Sequence, residues 1–121
     1  MLRAEVFGRR VLLTGDIGSE AEERLLAAAT DLGADVLKIA HHGSKTSTTE
    51  AFLRAVAPRL ALISAGPNNP YGHPAPPVLE RLAGAGIPVL RTDLSNDSRV
   101  PSMRRGRRSL RARARRRSRR R

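Results

Sequence analysis

Three short polar groups in this chain of 121 residues carry the side chains of metal-assisted hydrolysis: Asp16 after Thr14-Gly15, the run His41-His42-Gly43-Ser44-Lys45, and His73 within Tyr71-Gly72-His73-Pro74. A carboxylate freed by a preceding glycine can bind a hard or borderline cation. An imidazole can bind metal or meet substrate, and His73 can protonate a leaving group or hydrogen-bond a phosphate. Ser44 and Lys45 add a donor and a cation suited to an anionic oxygen, with Asn69 and Tyr71 as further candidates for substrate contact. Each also has a plainer meaning: Asp16 as a turn or helix-cap aspartate, His73 as a surface-loop histidine. Cysteine is absent, so any metal must be held by His, Asp or Glu, and no thiol nucleophile exists.

The elements that would position these groups alternate along the chain. Leu2, Ala4 and Val6 alternate with Arg3, Glu5 and Phe7, and a turn at Gly8-Arg9 leads into Val11-Leu12-Leu13-Thr14, which reads as a β-hairpin. Ser19 and Glu22 form a capping-box pattern opening a helix over about residues 20–32, with Gly33 as its C-terminal cap. Asp35 to Ala40 is a buried strand that feeds directly into the histidine pair, and alternation along a strand predicts that His41 and His42 point to opposite faces. Ser47 and Glu50 repeat the capping pattern for a short helix that Pro58 ends, and Leu60 to Ser64 is another strand. The Gly66 to Pro74 stretch is too rich in Gly, Pro and Asn to be regular; Pro76-Pro77 opens a third helix, and Ile87 to Leu90 forms the last strand. The order β-β-α-β-α-β-α-β implies an α/β fold with a largely parallel sheet. Asp16, the histidine pair and the His73 loop each follow a strand, where right-handed crossovers gather them at one rim.

Charge divides the chain. Over residues 1–100 eleven Lys and Arg balance eleven Asp and Glu, so the formal charge of +12 lies wholly in residues 101–121, which hold twelve arginines. A globular part over 1–100 and a disordered Arg-rich tail over 101–121 follow, because the tail has too little apolar surface to fold. The tail reads either as a non-specific nucleic-acid arm or as a solvated stretch, or one outside a family member's natural reading frame. No apolar run approaches the roughly 20 residues that span a bilayer, and the start lacks the apolar core of a signal peptide, so the chain as written reads as soluble.

Leu13-Thr14-Gly15-Asp16, Ala40-His41-His42-Gly43-Ser44-Lys45, the Gly66 to Pro74 loop and Arg91-Thr92-Asp93 together resemble, over residues 2–93, the C-terminal half of the metallo-β-lactamase-fold domain of ComEC-type competence proteins. The resemblance implies an αββα sandwich and a divalent-metal site, zinc or manganese, that activates water, with a DNA phosphodiester as substrate in the complete protein. Asp16 matches the family's metal-bridging aspartate and His42 its last histidine ligand, while His41 and His73 match positions for substrate phosphate or general acid. The motif choice between His41 and His42 is reversible. The family's upstream motif of the His-x-His-x-Asp-His kind does not occur, and His41, His42 and His73 are the three histidines of the chain. The chain therefore carries the second half of the site, lacks the missing N-terminal half of the domain as partner, and is expected to be inactive alone. Complete members of the family are integral to the bacterial cell membrane. The rival readings are a basic nucleic-acid-binding protein acting through its tail and an inactive remnant.

Overall fold

The computed structural model describes residues 1–94. The boundary expected at residue 100 and the Arg-rich segment 101–121 lie outside the described residues.

The opening alternation folds into β1 (Leu2–Val6) and β2 (Arg9–Leu13), paired antiparallel with Val6 opposite Arg9. The turn is therefore Phe7-Gly8 rather than Gly8-Arg9. Both turn residues have positive φ, 50° and 70°, the two-residue geometry that matches strand twist. Next come α1 (Ser19–Ala27), β3 (Val36–Lys38), a single 3-10 turn (Ala40–Gly43), α2 (Glu50–Val56), β4 (Leu60–Ile63), α3 (Pro76–Gly84) and β5 (Val89–Arg91). The strands form one sheet in the order β1-β2-β3-β4-β5, antiparallel between β1 and β2 and parallel elsewhere. The protein is thus a mixed α/β fold.

Both expected capping boxes are corrected by the structure. Helix α1 starts at Ser19 with Gly18 as its cap and no side-chain cap bond; the Glu22 carboxylate, fully buried, is used elsewhere. Helix α2 is capped by Thr49, whose hydroxyl accepts from the Phe52 N–H at 3.3 Å, while the Ser47 hydroxyl donates to the Ala40 and Ser44 carbonyls. Helix α1 also ends earlier than its periodicity suggests. Ala29 takes positive φ and the chain leaves the helix there; beyond it Arg3 and Arg10 from the hairpin contact Asp31 at 3.0 and 3.2 Å, and Leu32 is buried in the core.

Register decides what the sheet buries. Leu12, Leu37, Ala61 and Val89 form one row across it, and with Ile39 and Ile63 they pack against Phe52, Leu53 and Val56 of α2 and Val78 and Leu82 of α3. Each parallel connection advances one strand in the same direction, so right-handed crossovers place all three helices on this face. The adjacent row, on the opposite face, is Leu2, Leu13, Lys38, Leu62 and Leu90. Among the described residues no helix covers it, and Leu2 and Leu13 are 62% and 39% exposed. Among the described residues no helix is long and apolar enough to cross a membrane.

Candidate functional site at the carboxyl rim of the sheet

The carboxyl ends of β2, β3 and β4 bring the three polar groups together. Gly15, two residues past the end of β2, has φ 62°, and its carbonyl accepts the His41 N–H at 2.9 Å, which sets Asp16 beside the histidine turn. Beyond β3, the Ile39 N–H bonds the Leu62 carbonyl at 2.8 Å and the chain then leaves the sheet. His41 and His42 do not alternate as strand residues. Both sit in the 3-10 turn with left-handed backbone angles (φ 50°, ψ 43° and φ 55°, ψ 24°), and both are exposed.

Gly43 makes this turn possible. Its φ is 83°, and a Cβ there would lie 2.6 Å from the Pro74 Cβ. Its carbonyl accepts the Ala75 N–H at 2.8 Å, which joins the histidine turn to the loop after β4. That loop places His73 with its ring centroid 6.0 Å from that of His41, edge to face, and Tyr71, 78% exposed, 5.9 Å from His73. The His73-Pro74 peptide is cis. Asn69 is occupied within the loop: its Oδ1 accepts the His73 N–H at 3.0 Å and its amide nitrogen donates to the Gly66 and His73 carbonyls.

The two histidines differ in how their rings are held. Nδ1 of His42 lies 2.6 Å from the Ser64 carbonyl; a carbonyl only accepts, so Nδ1 carries a proton, and in the neutral ring the lone pair is then on Nε2. The His41 ring lies edge to face with that of His73. Ser44 is buried and shares a hydrogen bond with the Thr46 hydroxyl at 3.0 Å, whereas Lys45 is exposed. Thr92, after β5, both accepts from and donates to the Ala65 backbone (2.9 and 3.0 Å), bracing the base of the His73 loop. Beside it Arg91 grips Asp93 through two bonds (3.0 and 2.6 Å), which lowers the Asp93 pKa and raises that of Arg91.

Reading the sequence missed three residues at or behind the rim. Lys38 is a cation within the apolar run of β3; burial lowers its pKa while the nearby Asp16 charge raises it, and its Nζ donates to the Ile39 carbonyl at 3.0 Å. The signal for it was a single charge in an otherwise buried strand. Glu22 and Arg81 hold the segment after the histidine turn, and no local pattern marks them, because their partners lie 26 or more residues away. Among the described residues no group of three or more His, Asp or Glu side chains is arranged to hold a metal ion.

The fold and rim together define an α/β sheet whose described helices lie on one face, with a histidine-bearing loop cluster at the ends of its parallel strands. No family model matches the chain. It is 46% identical over 93 residues to ComE operon protein 3 of Bacillus subtilis (strain 168), covering 77% of this chain and 12% of that protein. It is 43% identical over 96 residues to Competence protein ComA of Neisseria gonorrhoeae (78% and 14%), and 46% identical over 90 residues to Recombination protein 2 of Haemophilus influenzae (74% and 11%). By this segment the chain belongs to the ComEC-type competence proteins. It spans 11 to 14% of the length of these curated relatives.

Proposed function

We propose that residues 1–94 form one half of a metal-dependent hydrolase site of the metallo-β-lactamase type, serving DNA uptake, with a DNA phosphodiester as substrate in the complete protein. The observation that carries this reading is the His42 ring, fixed through Nδ1 on the Ser64 carbonyl so that Nε2 is the nitrogen left for a ligand at an exposed rim. Metal-bound histidines take this arrangement, one ring nitrogen anchored to an acceptor and the other presented to the ion. Asp16, on the adjoining strand end, supplies an oxygen donor. An imidazole and a carboxylate suit zinc or manganese. When bound, such an ion lowers the pKa of a coordinated water and stabilises charge on a phosphoryl oxygen.

The chain's other rim residues fit the remaining tasks. His73, stacked edgewise on His41, is placed to donate a proton or a hydrogen bond to an anionic oxygen. Lys45 offers an exposed cation to the phosphate and Tyr71 an exposed hydroxyl. Ser44 and Asn69 support substrate contact mainly through the shape of their loops, since their polar atoms are engaged there.

Two donors are fewer than the three protein ligands a catalytic zinc site holds. The reading therefore requires a second half that brings further ligands, and the face of the sheet opposite the helices supports one. Its row of Leu2, Leu13, Lys38, Leu62 and Leu90, which no helix covers among the described residues, suits a second sheet packed as in an αββα sandwich. The reading also has this half joined to membrane-integral segments in the complete protein.

Calorimetric titration of the 121-residue chain with zinc tests the reading. A weak site is expected, lost in Asp16→Ala and in His42→Ala, with no hydrolysis of DNA. Zinc binding that both variants retain would refute it. A second reading, nucleic-acid binding through residues 101–121, is favoured by the twelve arginines there. Removing those residues should then abolish DNA binding, whose affinity falls with salt at about 0.9 counterion per phosphate neutralised, and leave zinc binding unchanged. An inactive remnant would be blank in both assays.

A further inference from the structure

We infer that Glu22 and Arg81 are positioning residues of the rim, a charged clamp that holds the Gly43 to Thr49 loop and through it the histidine turn. The inference rests on the hydrolase reading only for what the turn is held for. Glu22, on α1, is fully buried, and its two carboxylate oxygens accept the N–H groups of Thr48 and Thr49, the latter at 2.8 Å. Arg81, on α3, donates from one nitrogen to the carbonyls of Ser47 and Thr48 at 3.2 and 2.7 Å. The Ser47 carbonyl and Thr48 N–H belong to one peptide unit, and the Thr48 carbonyl and Thr49 N–H to the next. Each of two consecutive peptides is thus held at its N–H by the carboxylate and at its carbonyl by the guanidinium. Because these groups point opposite ways across a trans peptide, the two side chains grip from opposite sides.

The residue between the two peptides explains the need for the grip. Thr48 has φ 57°, a conformation that a β-branched residue rarely adopts. Such strain persists only where the surroundings over-determine it. Here the positive φ turns two successive N–H groups toward the same point, forming an anion-binding concavity that the protein fills with its own carboxylate. The grip is relayed to the rim by Ser47, whose hydroxyl donates to the Ala40 and Ser44 carbonyls at 3.2 and 3.1 Å, at the two ends of the histidine turn. The Ser19 N–H on the Thr46 carbonyl at 2.8 Å pins the loop between them. His41 and His42, themselves left-handed, are therefore held by a chain of bonds that starts on two helices.

Glu22→Gln presents an amide N–H to a backbone N–H, and Arg81→Met keeps an unbranched side chain but removes the donor nitrogen; the latter, on a half-buried side chain, preserves folding. Leu26→Ala, one turn along α1 from Glu22 and packed against the core, supplies a control for global stability. Amide hydrogen exchange in the 121-residue chain reads the His41 and Ser44 N–H groups, bonded to the Gly15 and His41 carbonyls. Both clamp variants should lose protection there by about tenfold or more beyond the Leu26→Ala control, as local opening requires. Zinc affinity should fall about ten- to hundredfold in the clamp variants, the usual effect of losing support behind a metal ligand, and stay unchanged in the control. Lost protection in a protein that binds no zinc would leave the clamp standing and refute the hydrolase reading. Protection at His41 and Ser44 that merely tracks the control would overturn the clamp.

Discussion

Substitution of Gly43 by alanine should be among the most damaging single-methyl changes the protein can suffer. Two independent effects meet at this position. Its φ of 83° puts any Cβ in the left-handed region, at about 1–2 kcal/mol. The added carbon would also lie 2.6 and 2.9 Å from the Cβ and Cα of Pro74, well inside van der Waals contact, and both segments are buried. Overpacking of this kind adds about 1–3 kcal/mol, giving roughly 2–5 kcal/mol in all. Two other glycines separate the terms. Gly72 has φ 67° and open space around it, so Gly72→Ala should show the backbone part alone, about 1–2 kcal/mol. Gly66 has open space and no such angle, and its alanine variant should stay within about 0.5 kcal/mol of wild type. Urea unfolding followed by circular dichroism measures the series. With a slope near 1 kcal/mol/M for a domain of this size, the Gly43→Ala midpoint should fall by about 2 M or more. Equal midpoints for the Gly43 and Gly66 variants would refute the close approach of the histidine turn to Pro74.

Two further outcomes follow from the same structure. Thr49→Ala should destabilise by about 1 kcal/mol in urea unfolding through loss of the α2 cap, and no loss would return that role to another residue. Asp35 accepts the Arg10 N–H at 2.9 Å and faces Arg9 and Arg59, which hold its carboxyl below the ordinary carboxylate value. A carboxyl depressed in the folded state contributes stability that is complete above the unfolded value near 4 and is lost as pH falls through the folded value. Stability should therefore drop on acidification below about pH 4, more gently in Asp35→Asn than in wild type; equal slopes in acid unfolding curves would count against the Asp35 contacts.

Much of the architecture was legible in local pattern. Apolar runs bounded by glycine and proline placed five strands and three helices in order, and Pro76-Pro77 marked the start of α3 because proline suits a first helical turn. The gathering of Asp16, His41, His42 and His73 at one rim followed from each lying just beyond a strand of a parallel sheet. Where local pattern competed with distant partners, the partners prevailed. Glu22 has the spacing of a capping glutamate and instead reaches Thr48 and Thr49; Ser47 has the spacing of a cap and instead ties Ala40 to Ser44.

The sequence by itself determined which residue types stand at the strand ends, and hence the chemistry open to them, since composition and order are properties of the chain alone. The tertiary structure decided how those residues are held. Nothing local tells His42 from His41, for they are adjacent and identical in type. The distinction arises because the end of β4 brings the Ser64 carbonyl to one imidazole, while the loop beyond it brings the ring of His73 to the other. Both histidines can keep their left-handed backbone because Gly43 lets Pro74 come close and a buried carboxylate and a half-buried guanidinium grip the loop that follows. Contacts between residues 22 or more positions apart have no signature in sequence spacing, and they fix the geometry of the rim.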